Sequence, residues 1–288
     1  MTEIGRPTVS AVLCTLNEER NIERALQSLE GQPVDEIIIV DGGSTDRTLE
    51  LARQQNPSAR ILQHAAEGLL RQRLWGIRAA QGEMLLLMDA DDELEPQSVA
   101  AACRHLDDRN IAGSQFGYGT DSRSFWSMRY SWMLDVSSPD GKRLPMIGRP
   151  ALVRAALFQG YEPESAPVRS HPGEDAFIWA AQRGSGLQPH YESGPGRSIR
   201  LQPLTLMEIF WKSWSYGIGD ADRVRRFRVA RETYFHLLWR YPFVRGGRAL
   251  ILHGPSTAGL CASVGLIRAI SCTWALMGFG RVLDRDAY

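Results

Sequence analysis

Lysine is scarce in this sequence, because Lys142 and Lys212 are the only lysines among 33 basic residues. The positive charge is therefore carried by arginine, either through a high-GC genome or because arginine suits phosphates and anionic membranes. The four cysteines form no C-x-x-C pair, which argues against a disulfide ladder. No apolar segment follows Met1, so we expect no secretory signal and a reducing, cytoplasmic location.

The chain has no surplus of either charge, since 33 acidic residues balance 33 basic ones. This balance argues against binding driven by bulk positive charge, so we expect no nucleic-acid partner. The two parts of the chain differ, however: residues 1–120 hold 19 acidic and 11 basic side chains, and residues 121–288 hold 14 and 22. An acidic first part suits a metal cation, and a basic second part suits phosphate or an anionic membrane surface.

The first hundred residues alternate short apolar runs with helical periodicity, which predicts an α/β fold with a mostly parallel central sheet. The predicted strands are residues 9–13, 36–40, 60–63 and 84–88. Further along, residues 120–146 are rich in serine, aromatic and turn residues, which predicts a loop region. Pro150 predicts the start of a helical stretch that ends at Phe158.

Polar clusters follow three of the predicted strands, at residues 15–18, 41–46 and 89–92. Ligands of such sheets bind beyond the carboxyl ends of the strands, so we expect these clusters at one site. Asp89 and Asp91 lie two residues apart, and their oxygens suit Mg²⁺ or Mn²⁺ with room left for substrate phosphates. A solvated acidic loop that caps the helix beginning at Pro96 is the alternative.

Other polar residues in these clusters, and one acid beyond them, can serve either in ligand binding and catalysis or in turns and helix starts. Asp41 can accept a hydrogen bond from a nucleotide base or ribose, or it can form the turn before Gly42. Asn17 and Glu18 open the first helix and can serve as helix caps. Asp175 begins a predicted helix, where it is either a general base or an ordinary acid at a helix start.

Five segments in this order resemble the family 2 glycosyltransferases with a GT-A fold. They are TLNEE at 15–19, VDGGSTD at 40–46, EGLLRQRLWGIRAAQGE at 67–83, DADD at 89–92 and GED at 173–175. The resemblance covers about residues 8–183. It implies a GT-A nucleotide-sugar-binding domain over residues 1–203. The aromatic and amphipathic composition after residue 204 predicts a helical, partly amphipathic C-terminal region over residues 204–288.

The resemblance also implies roles for individual residues. The donor-binding residues would be Thr15, Asn17, Glu18, Asp41, Arg73 and Asp89, and the metal-binding residues would be Asp91 and Asp89. Asp175 would be the catalytic base, with Glu174 beside it. Next to Arg73, Gln72 and Leu74 replace the alanine and asparagine that are usual in the family.

The reaction implied by the resemblance is an inverting sugar transfer that depends on Mg²⁺ or Mn²⁺. The donor would be a nucleoside-diphosphate-sugar, above all a UDP-sugar. The acceptor would be a hydroxyl group of a saccharide or of a polyprenyl-linked or other lipid-linked sugar, in the synthesis of a cell-envelope polysaccharide.

Three other classes share parts of this pattern. A non-catalytic, membrane-associated partner of a polysaccharide synthesis complex could retain the acids in an inactive site. A nucleotidyltransferase would share the acidic metal site but would carry a basic, glycine-rich phosphate loop near its start. A dinucleotide-dependent oxidoreductase needs G-x-G-x-x-G after the first strand, and residues 14–18 contain no glycine.

The last third of the chain raises the question of membrane contact. Residues 249–267 lack formal charge and are long enough to span a bilayer, but residues 253–257 interrupt them. We expect amphipathic helices lying peripherally on the cytoplasmic face, with the arginines of 223–248 near lipid phosphates. The tryptophans expected at the interface are Trp211, Trp214, Trp239 and Trp274. Packing of these helices in a soluble protein, a single span or a re-entrant hairpin are the alternatives.

Overall fold

The computed structural model describes residues 6–65, 68–135, 141–144, 148, 150–160, 162, 189–201, 203–228 and 230–279. The described chain forms two compact units. The first contains residues 6–121, the described residues of 141–162, and residues 189–201. The second contains residues 122–135 and 203–279.

The first unit is built on one sheet of nine strands. The strands are β1 (Val9–Thr15), β2 (Glu36–Asp41), β3 (Arg60–Gln63), β4 (Met84–Asp89), β5 (Asp92–Leu94), β6 (Gly113–Thr120), β7 (Arg143–Leu144), β8 (Ala151–Arg154) and β9 (Tyr191–Arg200). Their order is β3-β2-β1-β4-β8-β6-β9-β5, and β7 pairs with β9. Strands β3, β2, β1 and β4 run parallel, which confirms the four predicted strands and the predicted parallel sheet.

Helices cover both faces of the parallel part of the sheet, which is why β1 is buried at every position. The helices of this unit are α1 (Ile22–Gln27), α2 (Thr48–Gln55), α3 (Leu69–Ala79) and α4 (Ser98–His105). Leu13 packs in the same core cluster as Ile22 of α1 and Val99 of α4. Val12 points to the opposite face, where a Cβ added at Gly76 of α3 would lie 2.4 Å from its Cγ1. Glycine therefore lets α3 lie directly on the sheet.

Two predicted elements are wrong. The helical stretch expected over 150–158 is strand β8 followed by a 3₁₀ turn at Ala155–Phe158. Strand β8 fills the place between β4 and β6 and pairs antiparallel with both, a long-range effect that local periodicity does not record. In the region expected as a loop, helix α5 (Phe125–Asp135) forms, and it buries small and apolar side chains such as Ser131 and Met133.

The second unit is helical. It contains α5, α6 (Leu206–Phe227), α7 (Ala230–Phe235), a π-helix (His236–Arg245), α8 (Gly246–His253) and α9 (Pro255–Leu276). Thr205 and Glu208 form a capping box at the start of α6. Helices α6 and α9 pack closely, and Arg268 of α9 donates to Asp220 of α6 at 2.8 Å.

The predicted interruption near residues 253–257 is confirmed, because α8 ends at His253 and α9 begins at Pro255. Gly254 between them has a φ of +84°, which a glycine adopts without strain. Among the described residues, α9 is the one helix whose length and composition would allow it to cross a membrane. Of its most apolar stretch, 44% is buried within the protein.

Candidate active site

The loops that follow β1 and β2 are joined by hydrogen bonds. The backbone N–H of Asn17 donates to the Ser44 hydroxyl at 2.9 Å, and the Thr45 N–H donates to Asn17 Oδ1 at 2.9 Å. The N–H of Glu18 donates to the Thr48 hydroxyl at 2.7 Å. Two of the three predicted polar clusters therefore lie together at the carboxyl edge of the sheet, as parallel strands require.

Asp41 ends β2 and is fully buried. Its carboxylate accepts hydrogen bonds from the Gly43 N–H at 3.0 Å and from the Ser44 N–H at 3.1 Å. The Ser44 hydroxyl donates to it at 2.5 Å. This geometry matches the turn-forming alternative, and a contact between Asp41 and a nucleotide stays a prediction.

Thr15 ends β1 and is buried, and its carbonyl accepts a hydrogen bond from the Gly42 N–H at 2.9 Å. Its hydroxyl has no hydrogen-bond partner among the residues that the structure describes. Buried hydroxyls are normally satisfied, so this one is available to a ligand or a water. Glu18 instead accepts from the Asn21 side chain at 2.7 Å, and its carbonyl accepts the Ile22 N–H, as a residue opening α1 would.

The third cluster is acidic. Asp89 ends β4, Asp92 begins β5, and Asp91 lies between them. One carboxylate oxygen from each of the three lies within 4.8 Å of the other two. Hard oxygen donors at this spacing fit Mg²⁺ or Mn²⁺ better than a soft metal, so the residues present fit the predicted ion. Asp92 was not predicted as part of the site, although its place in the run DADD was the available signal.

Two arginines contact this acidic cluster, one completely buried and the other partly exposed. Arg73 of α3 is completely buried and donates to Asp89 Oδ1 at 2.5 Å. Arg200 of β9 donates to Asp91 Oδ2 at 2.9 Å, and its other terminal nitrogen lies 3.4 Å from Asp92 Oδ1. The structure thus brings the predicted Arg73 to the site and adds Arg200, which sequence reasoning missed.

Burial lowers the pKa of Arg200, but the opposing charges of Asp92, Asp91 and Asp89 outweigh burial and hold that pKa well above its usual value. Arg200 is therefore a permanent positive charge at the acidic cluster. No local motif identifies it, because the contact depends on the pairing of β9 with β5, about a hundred residues earlier.

Asp175 and Glu174, the predicted base and its neighbour, lie outside the described residues. Their roles stay predictions, as does the contact of Arg73 with a sugar donor.

Solved structures define the class of fold. A mannosyltransferase from Pyrobaculum calidifontis, PcManGT, in complex with GDP-Man and Mn²⁺, is 17% identical with a TM-score of 0.56, over 97% of this chain and 81% of its own. Glucosyl-3-phosphoglycerate synthase from Mycobacterium tuberculosis, with Mn²⁺, UDP and glucosyl-3-phosphoglycerate, is 21% identical with a TM-score of 0.52, over 76% and 80%. At these identities the likeness shows the fold alone, which is the GT-A fold of glycosyltransferases.

The family described as "Glycosyl transferase family 2" matches residues 10–159, and the chain belongs to that family. EpsH from Bacillus subtilis (strain 168) is 36% identical over 95 residues, which are 31% of this chain and 28% of EpsH. The chain spans about a third of the length of the curated relatives it matches. The predicted GT-A fold and the predicted family of glycosyltransferases are confirmed.

Proposed function

We propose that this protein is an inverting, metal-dependent glycosyltransferase that moves a sugar from a nucleoside-diphosphate-sugar to an acceptor hydroxyl. The observation that carries the proposal is the convergence of Asp89, Asp91 and Asp92 at the edge of the sheet. The joined loops after β1 and β2 lie at the carboxyl edge of the same parallel strands, and β1 pairs with β4 up to Asp89. Family membership supports this interpretation over that of a solvated acidic loop.

In this proposal Asp91 and Asp89 hold Mg²⁺ or Mn²⁺, with Asp92 beside them. When bound, the ion supplies Lewis-acid stabilisation of the negative charge that develops on the leaving diphosphate. Arg73 fixes the Asp89 carboxylate from the buried side. We propose that the hydroxyl of Thr15 and the Asp41 loop bind the nucleotide.

Asp175 is proposed as the general base, with Glu174 beside it, on the strength of the resemblance of GED at 173–175. It would accept the proton of the acceptor hydroxyl as that oxygen attacks the anomeric carbon. General-base catalysis of this kind contributes about 10²- to 10⁴-fold to a rate. One direct displacement at the anomeric carbon inverts its configuration, and the proton leaves the acceptor for the carboxylate.

The donor is proposed to be a UDP-sugar bound by residues 1–203. The acceptor is proposed to be a saccharide or a polyprenyl-linked sugar at the cytoplasmic membrane. The GT-A structures named above hold UDP or GDP-Man, which supports the class of donor without identifying the base or the sugar.

The test begins with a thermal-shift screen of UDP- and GDP-sugars, each with and without Mn²⁺. A ligand that binds the folded protein at about a hundred times its Kd adds about 2.7 kcal/mol of stability, so a true donor raises the melting temperature. Transfer is then measured with the stabilising donor, and NMR of the product gives its anomeric configuration. We expect the configuration opposite to that of the donor.

Three variants complete this test. Asp91→Asn and Asp175→Asn should each reduce transfer at least about a hundredfold while the protein stays folded. Glu93→Gln is the matched control, because Glu93 lies next to Asp92 but pairs with Arg24 at 2.6 Å. If the unaltered protein binds the donor but neither transfers its sugar nor hydrolyses it, the result would support the non-catalytic alternative. Normal turnover by either aspartate variant would remove that residue from its proposed role.

We further propose that residues 204–288 place the enzyme peripherally on an anionic membrane. Eight large apolar side chains between residues 235 and 252 are exposed, at Phe235, Leu238, Trp239, Phe243, Val244, Leu250, Ile251 and Leu252. Exposed arginines alternate with them at positions 231, 240 and 248. Apolar side chains with nearby arginines suit the boundary between acyl chains and anionic headgroups.

The structure changes part of the predicted set of interfacial tryptophans. Trp211 and Trp239 are exposed, as that role requires. Trp214 and Trp274 are half-buried instead, with their ring centroids 5.7 Å apart. Trp214 packs against the core of the second unit.

Sedimentation with phospholipid vesicles tests membrane binding. We expect binding to vesicles that contain phosphatidylglycerol and much weaker binding to vesicles of phosphatidylcholine alone. The double variant Phe243→Ser, Ile251→Ser should lose binding, and Leu69→Ser, which alters an exposed leucine of the first unit, should not. Equal binding by the double variant and the unaltered protein would contradict this surface assignment.

A further inference from the structure

Arg200 is held against the acidic cluster by the backbone as well as by its side chain. It lies opposite Asp92 in the antiparallel pairing of β5 with β9. The next residue, Leu201, donates its N–H to the carbonyl of Asp91 at 2.9 Å. The guanidinium contacts Asp91 at 2.9 Å and Asp92 at 3.4 Å, and one fifth of the side chain is exposed.

The charges around a metal bound here can be counted. Among the described residues, Asp89, Asp91 and Asp92 contribute three negative charges, and Arg73 and Arg200 contribute two positive ones. These five side chains would therefore present a divalent cation with one net negative charge. The cation would also compete with Arg200 for the same Asp91 carboxylate. Both effects lower the affinity of Asp91 for a divalent cation.

A nucleoside diphosphate carries several negative charges on its phosphates. When it binds, its negative charge would offset the positive charges of the guanidinium and the metal. The guanidinium can also donate hydrogen bonds to phosphate oxygens as well as to a carboxylate. The same residue would then oppose metal binding before the donor arrives and permit it afterwards.

Building on the proposed function, we propose that Arg200 couples metal binding to donor binding by weakening the affinity of Asp91 for a divalent cation until a nucleoside diphosphate is present. Arg200 is a positioning residue in this account, since it acts through Asp91 and the ion. Linkage requires the reciprocal effect, so the metal must raise nucleotide affinity by the same factor.

The probe for this proposal is Mn²⁺, whose free concentration is measured by electron paramagnetic resonance during titration of the full chain. For the unaltered protein we expect UDP to tighten Mn²⁺ binding at least about tenfold, because a unit charge within a few ångströms shifts such equilibria by one to three powers of ten. Arg200→Gln should bind Mn²⁺ alone about tenfold more tightly than the unaltered protein, and UDP should then add less.

Two control variants separate charge from other effects. Arg200→Lys keeps the positive charge and should retain weak binding of Mn²⁺ alone. Arg24→Gln also removes one positive charge, that of an arginine that pairs with Glu93, the neighbour of Asp92, at 2.6 Å. Because Arg24 is exposed, we expect this variant to change the Mn²⁺ affinity less than about twofold. Circular dichroism shows which variants are folded.

Two results would overturn the role of Arg200 and leave the transferase proposal intact. One is equal Mn²⁺ affinity of folded Arg200→Gln and the unaltered protein in the absence of UDP. The other, which needs no variant, is Mn²⁺ binding by the unaltered protein that is equally tight with and without UDP. Failure of the unaltered protein to bind Mn²⁺ even with UDP would instead refute the proposed metal dependence, and this coupling with it.

Discussion

Removing one partner of the ion pair between Arg73 and Asp89 should destabilise the first unit by several kilocalories per mole. Arg73 is completely buried, whereas 24% of the Asp89 side chain is exposed. Removal of one partner from a buried pair costs about 3–5 kcal/mol, because the remaining charge loses its hydrogen-bonded counter-ion. For Arg73→Met we expect about 2–3 kcal/mol, since Asp89 regains some hydration. For Asp89→Asn we expect about 3–5 kcal/mol, since the Arg73 charge has no access to water.

A double-mutant cycle measured by urea unfolding tests this expectation. The double variant Arg73→Met, Asp89→Asn removes both charges of the pair. Its loss of unfolding free energy should therefore be smaller than the sum of the losses in the two single variants. We expect a coupling energy of about 1–3 kcal/mol, with far-UV circular dichroism as the signal. Costs that add to within about 0.5 kcal/mol would show that the two side chains act independently, and the assignment of Arg73 as the support of Asp89 would fail.

Two further predictions concern the helices of the second unit. Gly217→Ala should destabilise the protein by about 3 kcal/mol, because the added Cβ would lie 1.8 Å from Ser271 Oγ. The control Gly259→Ala, whose added Cβ meets no atom within 4 Å, should be neutral or stabilise the protein by up to about 1 kcal/mol. Equal urea midpoints of the two variants would contradict this packing. Thr205→Ala should cost about 1 kcal/mol at neutral pH through loss of the capping box. Hydrogen bonds from the Thr205 backbone and side chain hold the pKa of Glu208 below its usual value. The stabilisation by the capping box is therefore present above the pH at which the unfolded glutamate titrates. It is lost as the pH falls through the pKa of Glu208 in the folded protein. A Thr205→Ala penalty that stays constant down to pH 3 would contradict it.

The parallel half of the sheet was predictable because its signals are local. Runs such as EIIIV at 36–40 and MLLLM at 84–88 are long enough to form buried strands without help from distant residues. The rule that ligands bind at the carboxyl ends of parallel strands then brings the loops after β1 and β2 together. The hydrogen bonds of Asn17 with Ser44 and Thr45 confirm that step.

Features set by distant pairing were not predictable. The local pattern of ALVR at 151–154 favours a helix. The segment forms strand β8 because it pairs with β4 and β6, and this long-range pairing leaves no local signal. Arg200 reaches Asp91 for a similar reason, through the pairing of β9 with β5. Asp41 shows a different limit, because turn formation and ligand binding place the same residue type at the same position.

The most direct test of the central claim is Mn²⁺ binding to the acidic cluster in the presence of UDP. Electron paramagnetic resonance titration should show one saturable site in the unaltered protein. Affinity at this site should fall at least about tenfold in Asp91→Asn, since loss of a ligand charge costs one to three powers of ten, and it should be unchanged in Glu93→Gln. Equal Mn²⁺ affinity of folded Asp91→Asn and the unaltered protein would contradict the account.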